Sequence, residues 1–173
     1  MSTGGLRPPD SDEEREIRKQ SALDGDIGKV CEMNGISDEQ FLHNRNSIWC
    51  LESFFSDCPS LYTFQHFPNL RELRIISQDL DSLSGLEECP SLERLWVVEC
   101  EIAEIQYIGE LRNLKYLNLS SNAISQISGL DLLDKLEVLW LNKNQISVLE
   151  GIQCLTSLQT LWLGSNQIRT LQG

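Results

Sequence analysis

Along residues 114–135 the apolar positions are Leu114, Leu117, Leu119, Ile124, Ile127, Leu130 and Leu133, with Asn122 set among them. The spacing is a two-residue alternation followed by steps of three. The alternation is that of a strand with one buried face, and an amphipathic helix would instead repeat every 3.6 residues. The same register returns 22 residues later at Leu136, Leu139, Leu141, Asn144, Ile146, Leu149, Ile152 and Leu155. It occurs 22 residues earlier at Leu92, Leu95, Val97, Cys100, Ile102, Ile105, Ile108 and Leu111. A further copy, at Leu70, Leu73, Ile75, Leu80, Leu83, Leu86 and Cys89, carries Gln78 in the Asn place. A fifth begins at Leu158, Leu161, Leu163, Asn166, Ile168 and Leu171. Constant phase over this many copies marks an internal repeat, in which each unit buries its apolar face against the next.

Each repeat predicts one short strand, at about residues 72–76, 94–98, 116–120, 138–142 and 160–164. Stacked about 4.8 Å apart, they form a parallel sheet. The remainder of each repeat returns over the opposite, convex side as a helical or 3₁₀ turn. Asn122, Asn144 and Asn166 are expected to form a ladder of amides bonded to loop backbone, because a buried amide must be satisfied.

Upstream, residues 47–69 read as a degenerate repeat in the same phase, with Ile48 and Leu51 in the first apolar slots and Leu61, Phe64 and Phe67 in the last. Residues 26–69 are therefore expected to cap the stack, with Phe54 and Phe55 plugging the open end of the core and Trp49 buried. Within the cap, Ile27, Val30 and Cys31 share one helical face, Asn34-Gly35 ends that helix, and Ser37 caps a second one reaching Asn44. Residues 1–25 form an acidic arm. Gly4, Gly5, Pro8 and Pro9 predict disorder over 1–10, and Ser11 with Glu14 suggests a frayed helix after it. The repeats occupy 70–173.

If Leu117 and Leu119 point inward, then Tyr116, Asn118 and Ser120 point outward, and stacking turns these positions into columns. The central column is Arg74, Trp96, Asn118, Trp140 and Trp162. Before it run Glu72, Arg94, Tyr116, Val138 and Thr160, and after it Ile76, Val98, Ser120, Asn142 and Gly164. Glu99 and Glu101 lie on the adjoining loops. Trp140 and Trp162 fall on neighbouring strands, so their rings are expected to stack 4.5–7 Å apart. A contiguous exposed stripe of Trp, Tyr and Arg has the composition of a protein-binding hot spot. The residues expected to contact a partner are Arg74, Arg94, Trp96, Glu99, Glu101, Tyr116, Asn118, Trp140 and Trp162.

Composition narrows the alternatives. The net charge of -12 and pI near 4.5 disfavour nucleic acid and anionic membrane as partners. No apolar run approaches the length of a membrane span, and the N-terminus lacks the apolar core of a secretory signal. The six cysteines contain no Cys-x-x-Cys pair, and Cys89 and Cys100 replace Leu or Asn in the repeat, which predicts reduced, buried thiols in a cytoplasmic protein. His43 and His66, the two histidines, find no nucleophile in any arrangement the repeats would create. No metal motif or phosphate loop is present, and neither cofactor nor catalysis is expected.

The L-x-x-L-x-L-x-x-N-x-I-x-x-I pattern of residues 70–173 resembles the short 22-residue leucine-rich-repeat class typified by a regulatory subunit of protein phosphatase 1. The resemblance implies an α/β fold, a curved solenoid whose concave parallel sheet binds another protein. It also implies two kinds of partner, a phosphatase catalytic subunit or a cytoskeletal or axonemal protein, the latter with a ciliary location. The segments LESFF (51–55), FPNLREL (67–73), GLEECPSLERLWVVEC (85–100) and KLEVLWLNKNQI (135–146) further resemble the N-terminal part of the leucine-rich repeat-containing protein 9 family. KVCEMNGIS (29–37) extends that likeness into the cap. The members of that family are much longer, so the chain reads as a fragment, an isoform or an incomplete gene product.

Overall fold

The computed structural model describes residues 24–54 and 59–171. The readings of residues 1–10, of the helix after Ser11, and of Phe55 lie outside them.

A helix, α1, runs through residues 24–33 and a second, α2, spans Asp38–Asn44. Ser37 is its N-cap, and its hydroxyl accepts the Gln40 N–H. Six parallel strands follow, each 22 residues after the last: β1 (Cys50–Phe54), β2 (Glu72–Ile76), β3 (Arg94–Val98), β4 (Tyr116–Asn118), β5 (Val138–Trp140) and β7 (Thr160–Trp162). Each pairs with its successor in strict register, from Cys50 opposite Glu72 to Trp140 opposite Trp162. The hydrogen bonding also repeats. The Trp49 carbonyl takes the N–H groups of Arg71 and Glu72, and Arg71, Glu93, Lys115 and Glu137 do the same one repeat on.

Strands β4, β5 and β7 are shorter than the sequence suggests, although the backbone ladder continues past them through Leu119 N–H to Trp140 O and Leu141 N–H to Trp162 O. At Asn118 the side chain intervenes, its Oδ1 taking the Ser120 N–H at 2.9 Å. The convex side carries 3₁₀ turns at Leu61–His66 and Leu86–Glu88. Two repeats at the other end add a small parallel pair there, β6 (Val148–Leu149) with β8 (Thr170–Leu171), which the apolar pattern does not announce.

One apolar core runs the length of the stack, and Leu73, Leu95, Leu117 and Leu139 within it are fully buried. The amide ladder forms as the sequence suggests. Asn122 Oδ1 accepts Ile102 N–H, Asn144 Oδ1 accepts Ile124 N–H and Asn166 Oδ1 accepts Ile146 N–H. Cys100 cannot accept in this way, and Leu80 N–H, the group it would have taken, turns back to the Gln78 carbonyl. Gln78 is one methylene too long for the slot. Its Nε2 reaches Ile76 O at 3.2 Å, but its buried Oε1 has no partner.

Two further columns are written in backbone conformation. Ser77, Glu99, Ser121, Lys143 and Ser165, again 22 residues apart, all have φ of 54–60°. Gly85, Tyr107, Gly129 and Gly151 form a second left-handed column on the convex side. A Cβ on Gly151 would lie 2.1 Å from the Ile127 carbonyl oxygen, so a glycine there lets consecutive turns approach.

The cap closes the core differently from the expectation. Val30 and Cys31 of α1 are buried against it, and Phe41 of α2 packs edge-on against Phe67 with ring centres 5.6 Å apart. Phe54 plugs nothing. Its register with Ile76 puts it, half-buried, in an outward column of the sheet. Trp49 is 55% exposed rather than buried, because it precedes β1 at the rim, in line with Arg71, Glu93 and Lys115. The Asn34 amide bonds both backbone groups of Glu52, accepting its N–H at 2.8 Å and donating to its carbonyl at 2.9 Å. It thus satisfies one rung of the outer edge of β1.

Candidate functional site

The strand register turns the outward columns into fact. Glu52, Arg74, Trp96, Asn118, Trp140 and Trp162 lie side by side across the sheet, and Cys50, Glu72, Arg94, Tyr116, Val138 and Thr160 run beside them. The face they form divides in two.

The half nearer the cap is a network of charges already matched to one another. Arg74 donates to Glu52 at 2.6 Å and also bonds Glu72, which is itself buried. Its guanidinium lies 5.2 Å from the centre of the Trp96 ring. Arg94 repeats the arrangement one strand on, 5.1 Å from the Tyr116 ring and 3.7 Å from Glu72. Cation–π contacts of this kind draw each guanidinium onto its neighbouring ring. At the rim, Glu93 sits between Lys115 at 3.0 Å and Arg71 at 3.5 Å. The hydrogen bond from Lys115, with the charges of Lys115, Arg71 and Arg94, holds the Glu93 carboxyl below the usual carboxylate range.

The other half, beyond Asn118, carries no charge in these two columns. Trp140 and Val138 are half-buried and Trp162 is 55% exposed. The two indoles do not stack. Among the described residues the one paired set of rings is Phe41 with Phe67. Neighbouring parallel strands place Trp140 and Trp162 side by side, but no ring contact forms between them, and among the described residues no further strand lies beside Trp162.

Glu99 and Glu101 are exposed on the loops after β3. Glu99 accepts from the Ser77 hydroxyl at 2.7 Å, one repeat earlier, and is turned to the rim by its left-handed backbone. The nine residues singled out from sequence thus fall into an intramolecular cluster (Arg74, Arg94, Trp96, Tyr116), an uncharged group (Asn118, Trp140, Trp162) and two rim carboxylates. Glu52, which fixes Arg74, was missed, and Glu72, placed in the outward columns, was not among the expected contact residues. The 22-residue spacing could have placed Glu52, since it precedes Arg74 by one repeat.

Cys31, Cys50, Cys89, Cys100 and Cys154 are free thiols. Burial raises Cys31, Cys50 and Cys100 above the ordinary thiol value and pushes Cys89 up to about 12, so at neutral pH these thiols stay protonated; Cys31, Cys89 and Cys100 fill the core, and Cys50 lies half-buried in the outward column. No group of three or more His, Cys, Asp or Glu among the described residues is placed to hold a metal ion. No helix among them is long and apolar enough to cross a membrane.

A family model described as "Leucine Rich repeats (2 copies)" matches residues 90–132 and 134–173. The fold is a leucine-rich-repeat solenoid. Solved structures of that architecture agree. An internalin from Listeria monocytogenes superposes with a TM-score of 0.65 at 19% identity, covering 79% of this chain and 44% of its own. The crystal structure of a TLR13–ssRNA13 complex superposes at 0.67 with 25% identity, covering 78% of this chain and 20% of its own. The leucine-rich-repeat chain therefore spans less than half the length of either. No curated protein matches its sequence.

Proposed function

We propose that this leucine-rich-repeat solenoid is a non-catalytic interaction module that binds another protein through its concave face, in a scaffold or adaptor role. Leucine-rich-repeat domains in general mediate protein–protein interaction. The observation that carries the reading here is the uncharged half of the face, where Trp140 and Trp162 are held on adjacent strands with no ring partner. A rigid strand that presents a Trp to solvent forgoes the apolar burial a side chain of that size can supply, and a partner surface restores it. Trp96 and Tyr116 extend the contact, while Arg74, Arg94, Glu99 and Glu101 set its polarity and orientation.

The resemblance to the 22-residue class and to the leucine-rich repeat-containing protein 9 family supports two narrower readings: regulation of a phosphatase catalytic subunit, or a cytoplasmic scaffold in the axoneme. Affinity capture from ciliated-cell lysate tests them together, comparing the native chain with a Trp140→Ala, Trp162→Ala double variant whose circular dichroism is unchanged. The expected result is one partner retained by the native chain and lost by the variant. A phosphatase or an axonemal protein in that position decides between the two readings. A partner retained equally by both proteins would remove the concave tryptophans from the site.

A further inference from the structure

Trp49 stands between two open depressions at the rim where the strands begin. On one side lies a groove of about 440 Å³ lined by Asn46, Trp49, Asn69, Arg71, Glu93 and Arg94. On the other, a hollow of about 280 Å³ is bounded by Trp49, Ile36, Gln40, Ile48 and Cys50, and no residue that lines it is charged. Trp49 is 55% exposed, and its carbonyl accepts the Arg71 and Glu72 N–H groups at 2.8 and 2.9 Å, which fixes the backbone that carries the indole. The two arginines in the groove are loosely held. The nearest carboxylate oxygens are 3.5 Å from Arg71 and 3.7 Å from Arg94, and neither pair makes a hydrogen bond. Arg74, by contrast, is engaged by both Glu52 and Glu72. The carboxylates here are already in use: one oxygen of Glu93 faces Arg71 and the other takes Lys115, while Glu72 is buried against Arg74. Each guanidinium has five N–H donors, so Arg71 and Arg94 keep donors to spare. Spare donors on a chain of net charge -12 make this groove a local exception to the surface around it.

We propose that this rim is a second binding site, which takes an extended peptide segment of another protein, acidic in one half and uncharged in the other. The acidic half lies in the groove, where its carboxylates take the free N–H groups of Arg71 and Arg94. The chain then crosses the indole of Trp49, and the uncharged half enters the hollow beside Ile36 and Ile48. Three features decide this chemistry. The free donors on Arg71 and Arg94 select an anionic partner. Glu93 and Glu72 stand beside them, which disfavours the denser charge of a phosphate or a nucleic acid relative to a carboxylate. Trp49 is the one apolar residue lining the groove, so a small molecule would find little apolar enclosure, whereas a peptide gathers several spaced contacts along both depressions. The groove borders the start of β1 to β3, while Trp140 and Trp162 lie on β5 and β7. The two sites are therefore separate, and the rim site stands whether or not the concave tryptophans bind a protein.

The test uses the full chain carrying 5-fluorotryptophan, whose four fluorine resonances are assigned with single Trp→Phe variants. The probe is the synthetic peptide Ac-VAPEEE-NH2, with Ac-VAPQQQ-NH2 as its uncharged counterpart and inorganic phosphate as a third ligand. The acidic peptide is expected to shift the Trp49 resonance to saturation and to leave Trp140 and Trp162 in place. Added salt should weaken that binding, since it screens the attraction. The uncharged peptide should bind at least about tenfold more weakly, as should the acidic peptide to Arg71→Gln, because each change removes a charge-assisted hydrogen bond. Arg71 is well exposed, and an unchanged circular dichroism melt shows that the Arg71→Gln chain is folded. Lys143→Gln, a cation outside the groove, should leave the affinity as it was. A Trp49 resonance that does not move with the acidic peptide overturns the proposal, as does equal binding of the two peptides or of the native and Arg71→Gln chains. Phosphate shifting Trp49 while both peptides are silent would make the groove a simple anion site and overturn it too. A shift at Trp162 alone would place peptide binding on the concave tryptophans and remove it from the rim.

Discussion

Asn144 accepts the backbone N–H of Ile124 at 3.0 Å, twenty residues earlier in the chain. The same amide donates to the carbonyls of Leu119 and Leu141, so one buried side chain ties two consecutive turns together. Replacing it leaves one buried N–H and two carbonyls short of a partner. Asn144→Ala is expected to cost roughly 3 kcal/mol, read by urea unfolding, and more than Asn122→Ala because Asn122 is less buried. Equal losses at both positions would show that burial does not set the strength of the ladder.

The left-handed columns predict substitutions of opposite sign. Tyr107 is exposed and holds φ of 64° where the neighbouring repeats have glycine. Tyr107→Gly is expected to stabilise by roughly 0.5–1 kcal/mol, since a left-handed backbone strains a side chain more than glycine's added freedom costs. Gly151→Ala should destabilise by more than about 2 kcal/mol, because its Cβ meets backbone rather than a flexible side chain. Thermal melts of the two variants check both signs.

Glu93 predicts a feature in acid. Its folded value is lowered by Lys115 and the nearby arginines. The ionised form is therefore favoured in the folded chain, and the stability it contributes is fully present above the unfolded value of about 4.3. It is lost as pH falls through the lower folded value. Lys115→Met should flatten the fall of melting temperature below about pH 4.3 relative to the native chain. Parallel curves would assign the acid limb to other carboxylates.

Beyond β7 the core is less covered. Leu158, Leu161, Leu163 and Ile168 are only partly buried, and β7 is an edge of the main sheet. Fusing a polar capping repeat after residue 173 should raise the melting temperature and reduce self-association of the 173-residue chain. Sedimentation at several concentrations separates the two effects, and an unchanged melting temperature would mean that self-association already covers this end.

How much of this was legible in the sequence follows from what apolar periodicity records. Leu95, Leu117 and Leu139 announce their shared depth because burial selects residue type, and the outward columns follow from them by alternation. Backbone conformation leaves a weaker trace. Ser77, Glu99, Ser121, Lys143 and Ser165 share a left-handed turn, yet none is the glycine or asparagine that would advertise it. Long-range single contacts leave none at all. Asn34 reads as a turn residue, and nothing local says that its amide will bond Glu52. Trp96, Trp140 and Trp162 were placed on the right column, but their neighbours decide what each does: Trp96 is covered by Arg74, while Trp140 and Trp162 remain without ring partners.

The Asn34–Glu52 contact has a consequence for growth. At that rung an amide occupies the hydrogen-bonding groups another strand would need, while nothing among the described residues does so beside β7. The two edges of the described sheet are therefore unequal, like a zip with a stop at one end. A strand added to this sheet would meet open hydrogen-bonding groups beside β7 and an occupied rung beside β1.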